Sequence, residues 1–237
     1  MARVNGLWVY QTLGERPEPD DVASLAERHG LRWLTAQATE GDELLDEAWL
    51  RGMRRATKEH GLRLAVHGFL GRPKPKPVAE ARAMAKAIDV AEADFAIVNA
   101  EIQYERSPNP DSKDFVREFR RLKPELRSYF SSFGRPEFHS SLDWQAWADG
   151  DFAGMPQAYE NLNAEELKPT QCVKDWGRFF PTDTLRPTLG CFAEHGQQHL
   201  PIPRLVQSVR DVPRLRFNIF RHGTVSRAEL DALHELG

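Results

Sequence analysis

The chain predicts an α/β protein built as one closed barrel, and three observations carry that prediction. Eight runs of strand character alternate with helix-like segments, the rhythm of a parallel sheet with its helices outside. The 237 residues are close to the ~250 that an eightfold β/α barrel typically takes. In the stretch Asp94 to Glu105, Phe95, Ile97, Asn99, Glu101 and Gln103 share one face while Ala96, Val98, Ala100 and Ile102 share the other. One face stays apolar and the other turns polar partway, as a barrel strand does on reaching its mouth. The expected architecture is a single (β/α)8 TIM barrel, one domain over residues 1–237.

The elements follow in order. Gly6 to Leu13 is a strand, and after a Pro-rich turn a helix runs from Asp20 to His29, ended by Gly30. Leu31 to Thr39 is the second strand, with a helix from about Leu44 to His60 closed by Gly61. Leu62 to Phe69 is the third; Pro73, Pro75 and Pro77 then stiffen a loop leading to a helix that ends near Val90. The fourth strand begins at Asp94 and its helix spans Asp114 to Leu122. Arg127 to Ser132 is the fifth, followed by a short helix from Trp144 to Ala148. Phe152 to Tyr159 is the sixth, and Pro156, which has no N–H to donate, predicts an interrupted or bulged ladder near the mouth. A helix from Ala164 to Phe180, broken by Pro169, leads to the weaker seventh strand, Arg186 to Phe192, and a short helix from Pro203 to Val209. Leu215 to Phe220 is the eighth strand, and Ser226 to Leu236 the closing helix, where Ser226 and Glu229 have capping-box spacing.

Composition narrows the function classes. A formal charge of −3 and a pI near 6.3 argue against a general nucleic-acid binder, which needs a concentrated basic surface. The clusters Arg51 to Arg55 and Arg117 to Arg121 fall on predicted helices and suit solvated faces. No apolar run reaches the ~18 residues of a membrane span, and the start lacks the apolar core of a signal peptide. The expectation is therefore a chain without a membrane partner, cytoplasmic as synthesised or released from the cell by other means. Cys172 and Cys191 match no metal or redox spacing. Free thiols fit them best, with a disulfide left open.

Barrel enzymes keep their chemistry just past the C-terminal ends of the strands. That rule selects Tyr10, Gln11, Gln37, Thr39, His67, Asn99, Glu101, Gln103, Ser131, Ser132, Gln157, Tyr159 and Asn218 or His222. Amides, hydroxyls and rings suit a carbohydrate substrate, because each desolvated sugar hydroxyl needs a partner and aromatic faces stack on sugar rings. Tyr10, Gln37, His67, Gln103, Gln157 and Asn218 are the candidate substrate-binding residues. Glu101 is the candidate acid, since a carboxyl partly shielded from water holds its proton long enough to donate it to a leaving oxygen. Glycoside hydrolysis usually asks for a second carboxylate ~5–9 Å away. Glu105 lies ~13 Å on along an extended strand and comes closer only if the chain turns; Glu40, Glu160 and Glu194 are other rim candidates.

Plainer readings stand beside these. Glu101 fits a buried partner for an arginine, Asn99 fits a residue that satisfies nearby backbone, and His67 fits a hydrogen-bonded core histidine. Trp144, Trp147 and Trp176 suit helix-to-barrel packing better than sugar platforms. His195 and His199 have i, i+4 spacing, but Gly196 and Pro201 disfavour the helix that would bring both to one metal. Neither a metal nor an organic cofactor is expected.

Asn99-Ala100-Glu101 at the end of strand four and Met155-Pro156-Gln157-Ala158-Tyr159 on strand six resemble the barrel glycosidases that act on N-acetylhexosamine polymers. Family 18 chitinases end strand four in Asp-x-Glu and carry Met-x-Tyr on strand six, and Chalaropsis-type lysozymes also place Asp-x-Glu there. The chain departs from both in having Asn99 for the aspartate. Endo-N-acetylglucosaminidases of family 85 use Asn-x-Glu, with the amide orienting the substrate's own acetamide as nucleophile. The resemblance implies Glu101 as acid, Asn99 as the orienting amide, Tyr159 as a hold on the acetamide, and a peptidoglycan- or chitin-type glycan as substrate. Such a route needs no second enzymic carboxylate. The alternative is a catalytically inactive barrel that binds a glycan or a protein. A metal-dependent hydrolase would need His67, Glu101 and another carboxylate to converge, and a phosphate-handling barrel would need more than Arg221 to Thr224 offers.

Overall fold

The computed structural model describes residues 3–13, 16–105, 110–163, 166–193 and 198–236. Alternation gives every strand two faces, and a closed parallel sheet buries both. The strands are β1 (Arg3–Val9), β2 (Trp33–Glu40), β3 (Arg63–Phe69), β4 (Phe95–Asn99), β5 (Ser128–Phe133), β6 (Phe152–Ala158), β7 (Thr188–Gly190) and β8 (Arg216–Phe220). Each pairs in parallel with the next, and Arg3 beside Arg216 and Leu7 beside Ile219 join β8 to β1. The result is the closed eight-stranded barrel that the sequence predicts.

Helices cover the outside: α1 (Pro19–Arg28), α2 (Glu47–Glu59), α3 (Pro77–Ala91), α4 (Ile102–Glu105), α5 (Pro110–Leu122), α6 (Trp144–Asp149), α7 (Pro169–Trp176), α8 (Ile202–Arg210) and α9 (Arg227–His234). Two large hydrophobic clusters result, with a smaller third of Ala158, Tyr159, Leu167, Cys172 and Phe192. Outward residues such as Leu34, Val66, Val98 and Phe130 pack beneath the helices with Leu50, Met84, Phe115, Trp144, Trp147 and Trp176. Inward residues Trp8, Tyr10, Ala65, Phe95, Ile97, Tyr129 and Met155 fill the barrel. The two faces of β4 divide between these clusters as its alternation requires.

Several local expectations change. The fourth strand ends at Asn99 and the chain enters the one-turn helix α4, so Gln103 leaves the strand face on which strict alternation puts it. Pro169 starts α7 instead of breaking a longer helix, because a missing N–H costs nothing in a first turn; residues 164–165, where that helix was expected to begin, lie outside the described residues. The register of β5 with β6 passes Pro156 without a shift, while the ladder from β6 to β7 holds only Gln157–Thr188 and Ala158–Leu189. A short antiparallel ladder, Glu43–Leu44 with Thr39 and Glu40, precedes α2, whose first turn Asp46 caps. The Ser226–Glu229 capping box opens α9. Cys172 and Cys191 are buried free thiols. Among the described residues no helix is long and apolar enough to cross a membrane.

Candidate active site

The site begins with the inward face of β4. Phe95 and Ile97 belong to the barrel interior, so alternation aims Asn99 inward at the mouth. Ala100 N–H still bonds Ser131 O at 3.2 Å, and the Tyr104 N–H then turns back to Glu101 O at 2.9 Å. Glu101 is therefore held at the point where strand becomes helix. The Tyr104 hydroxyl fixes the new turn by donating to Glu80 on α3, whose other oxygen accepts from Gly71 N–H at 2.6 Å.

Across the mouth, Gln157 on β6 reaches both β4 groups. Its Nε2 donates to Asn99 Oδ1 at 3.0 Å and to Glu101 Oε1 at 2.9 Å, while Asn99 Nδ2 donates to the same Oε1 at 3.0 Å. Two of these bonds fix one carboxyl oxygen, the third ties the two amides together, and Oε2 is left without a described partner.

The carboxyl borders an open cavity of about 420 Å³. Tyr10, Tyr159, Phe69 and Phe220 supply aromatic wall, Gln37, Asn99 and Gln157 supply amides, and Thr12, Leu13, Glu40 and Arg72 complete the lining. Burial, reinforced by the charge of Glu101, pushes the Tyr10 phenol upward, so it stays a neutral hydroxyl. Gln37 spends its side-chain oxygen on the loop after β1, accepting from Gln11 N–H at 3.2 Å, Thr12 N–H at 3.2 Å and Thr12 Oγ1 at 2.8 Å. Its amide N–H groups remain for the cavity.

Of the nine residues singled out for catalysis or binding, Glu101, Asn99, Tyr159, Tyr10, Gln37 and Gln157 line this one cavity. The other three do not. His67 is wholly buried one layer down, its Nδ1 2.8 Å from Thr35 Oγ1 and its ring 4.6 Å from that of Tyr10. Burial lowers its pKa to about 3, which keeps the imidazole neutral. Gln103, carried off by α4, packs over Gly71. Asn218 sits lower on β8, donates to Arg186 O at 3.0 Å and lines a cavity at the opposite end. Thr39 is turned outward towards Met84 by a register shift between Gln37 and Thr39, the facing change a bulge produces.

The remaining acids divide clearly. Glu40 lines the cavity and accepts from Arg72 Nη1 at 2.7 Å. Glu105 lies 3.1 Å from His139 Nδ1, and Glu160 is buried against Arg204 and Ser208; neither lines the cavity. Glu194 and His195 lie outside the described residues, and His199 Nδ1 is 3.0 Å from Glu229 Oε1. Among the described residues no group of three or more His, Cys, Asp or Glu is placed to hold a metal ion.

Phe69, Phe220 and Arg72 escaped the sequence reading. The two phenylalanines close the patterns of strands three and eight, so the strand-end rule would have found them had apolar side chains been counted. Arg72 carries no comparable signal, because its place 4.2 Å from the Phe69 ring and beside Glu40 depends on the loop's path.

Solved structures of similar shape share this closed (β/α)8 barrel fold. A class V chitinase from Pseudomonas fluorescens Pf-5 superposes with a TM-score of 0.70 at 9% identity, over 98% of this chain and 98% of that one. A family 18 N-acetylglucosaminidase from Paenibacillus barengoltzii gives 0.70 at 11% identity, over 99% of this chain and 100% of the other. The spore cortex-lytic enzyme SleL of Bacillus cereus gives 0.70 at 8% identity, over 99% of this chain and 74% of that one. No family model matches the sequence, and no curated protein matches it either.

Proposed function

We propose that the chain is a glycoside hydrolase acting on an N-acetylhexosamine-containing glycan of peptidoglycan or chitin type. The observation that carries this reading is the half-free carboxyl of Glu101: Oε1 is pinned by two amides, Oε2 has no described partner, and the residue borders a cavity walled by phenols and rings. An acid held in one orientation at a shielded mouth suits proton transfer to a glycosidic oxygen. The substrate class is supported by the neighbours of similar shape, a chitinase, an N-acetylglucosaminidase and a spore cortex-lytic enzyme.

In this reading the Glu101 proton passes from Oε2 to the leaving oxygen as the bond from that oxygen to the anomeric carbon breaks. The substrate's own acetamide oxygen closes on the anomeric carbon, with Tyr159 holding the acetamide and Asn99 and Gln157 setting the geometry. Water then opens the cyclic intermediate and returns its proton to Glu101, which balances the cycle without a second enzymic carboxylate. Glu40, paired with Arg72, is not called upon. The test is Glu101→Gln: hydrolysis of a chitin or peptidoglycan oligomer should vanish while binding persists, and retained turnover would defeat the proposal.

A second reading, a glycan-binding barrel without turnover, is favoured by one observation. Both ends of the Asn99 amide are already bonded, to Glu101 and to Gln157, which takes up part of its capacity to orient a ligand. It predicts that the wild-type chain retains N-acetylhexosamine oligomers and releases no product on long incubation.

A further inference from the structure

The opposite end of the barrel carries a second concave site, which the proposed hydrolysis does not use. Five strands are approached through one recurring dipeptide: Leu31-Arg32, Leu62-Arg63, Leu126-Arg127, Leu185-Arg186 and Leu215-Arg216. Neighbouring residues in extended chain point to opposite faces. Leu31, Leu62, Leu185 and Leu215 are buried in the core beneath the helices, and Leu126 packs against it. The arginines accordingly turn towards the barrel axis, where all five line a cavity of about 170 Å³.

Among the described residues no acid lines that cavity, and none of the five arginines has an ion pair with a carboxylate. Arg63 donates to Asp94 O at 3.4 Å, and Arg186 to Asp183 O at 3.0 Å and Leu185 O at 2.7 Å, all main-chain carbonyls. Arg63 and Arg127 stack over Phe95 and Tyr129 at 5.1 and 5.3 Å. The nearby Asp94 carboxylate is committed elsewhere, to Leu64 N–H at 2.8 Å and to Arg54 at 2.9 Å. Burial, with the charges of Arg127 and Arg216 adding to it, pulls the Arg186 guanidinium below its ordinary range. In a chain of net charge −3, five like charges are thus gathered without a paired carboxylate, the charge of Asp183 only partly offsetting that of Arg186, a local field that attracts anions.

We propose that this cup binds a compact phosphate-class oxyanion carrying at least two negative charges. Guanidinium forks match the geometry of such groups two bonds at a time, and the cavity has room for a small anion but not for a polymer. The amide of Asn5 and the rings of Trp33 and Phe95 narrow it further. Free pyrophosphate and the phosphoryl end of a phosphate monoester present the same chemistry.

Calorimetric titration of the intact chain at low salt, with pyrophosphate in one arm and glycerol phosphate in the other, tests the site. Saturable one-to-one binding is expected, weakened at least tenfold in Arg127→Gln/Arg216→Gln. Tighter pyrophosphate binding identifies a free oligophosphate as the ligand; equal or tighter monoester binding identifies a phosphoryl group on a larger molecule. Glu101→Gln should bind as the wild type does, which separates this site from the mouth reading, and so should Arg117→Gln, whose side chain pairs with Asp114 on a helix. Removing mutually repelling charges should leave the anion-free melting temperature no lower than that of the wild type. Should the double variant fold poorly, Arg32→Gln alone is expected to weaken binding at least threefold. Absence of saturable binding in both arms, or binding unaffected by the arginine substitutions, overturns the proposal.

Discussion

Gln157 holds two acceptors with one amide nitrogen, Asn99 Oδ1 and Glu101 Oε1, and so couples β6 to β4 at the mouth. Under the proposed function it is a positioning residue. Gln157→Leu removes both bonds without adding charge, and misplacement of a reacting group by about 1 Å costs roughly 10²-fold in rate. A fall in kcat of that order, with KM little changed and the melting temperature nearly unmoved, is expected from steady-state assays with a chitin oligomer. His67 acts at the same scale in a different way. Its folded pKa of about 3 lies below the ~6.5 of an unfolded histidine, so between those values the unfolded chain binds the extra proton. The contribution is fully present above pH ~6.5 and is lost as pH falls towards the folded value, by at most about 1.4 kcal/mol per pH unit. Urea denaturation of His67→Gln beside wild type should show a flatter stability profile across that window.

At the scale of elements, two contacts shape the mouth. Tyr104 on α4 and Glu80 on α3 meet in the interior, and Glu80 also caps Gly71 N–H. The α4 turn that ends the strand beside Glu101 is thereby tied to the loop after β3. Tyr104→Phe leaves a buried carboxyl oxygen without its donor and should cost about 1–3 kcal/mol in chemical denaturation. The second contact joins the loops after β2 and β3. Gly41 has φ +58, and a Cβ there would stand 1.9 Å from Arg72 O, while its N–H bonds Phe69 O at 2.8 Å. Gly41→Ala therefore meets both an unfavourable conformation and a backbone clash. It should destabilise the fold by more than about 1 kcal/mol and move Arg72 away from Glu40, seen as a lower melting temperature and altered oligosaccharide affinity.

For the whole molecule, barrel closure makes two unlike ends from one sheet. At the C-terminal mouth, Glu101 and its amides face a cavity of about 420 Å³ among aromatic side chains. At the N-terminal end, five arginines face one of about 170 Å³. The inward apolar cluster of Trp8, Ile97, Tyr129 and Met155 lies between, so a ligand at one end makes no direct contact with the other. Because the two sites share no lining residue, mutations at each should act independently and add in their effects.

Alternation and punctuation were legible in the chain alone. The changing face of Asp94 to Glu101 identified β4 and its direction, because a period of two is a local property of extended backbone. The same rule brought Tyr10, Gln37, Gln157 and Tyr159 to the rim, and applied to the recurring Leu-Arg pairs it would have revealed the basic ring. Only the tertiary structure decided which of these meet. The amide bridge from Gln157 to Glu101 spans 56 positions, the bulge after Gln37 turned Thr39 away, and the α4 turn removed Gln103. Depth separated His67 and Asn218 from the mouth, since a strand's pattern states which face a side chain occupies but not how far along the closed barrel it lies. Single-strand periodicity carries no information about register between strands, and the neighbours of Glu101 are set by that register.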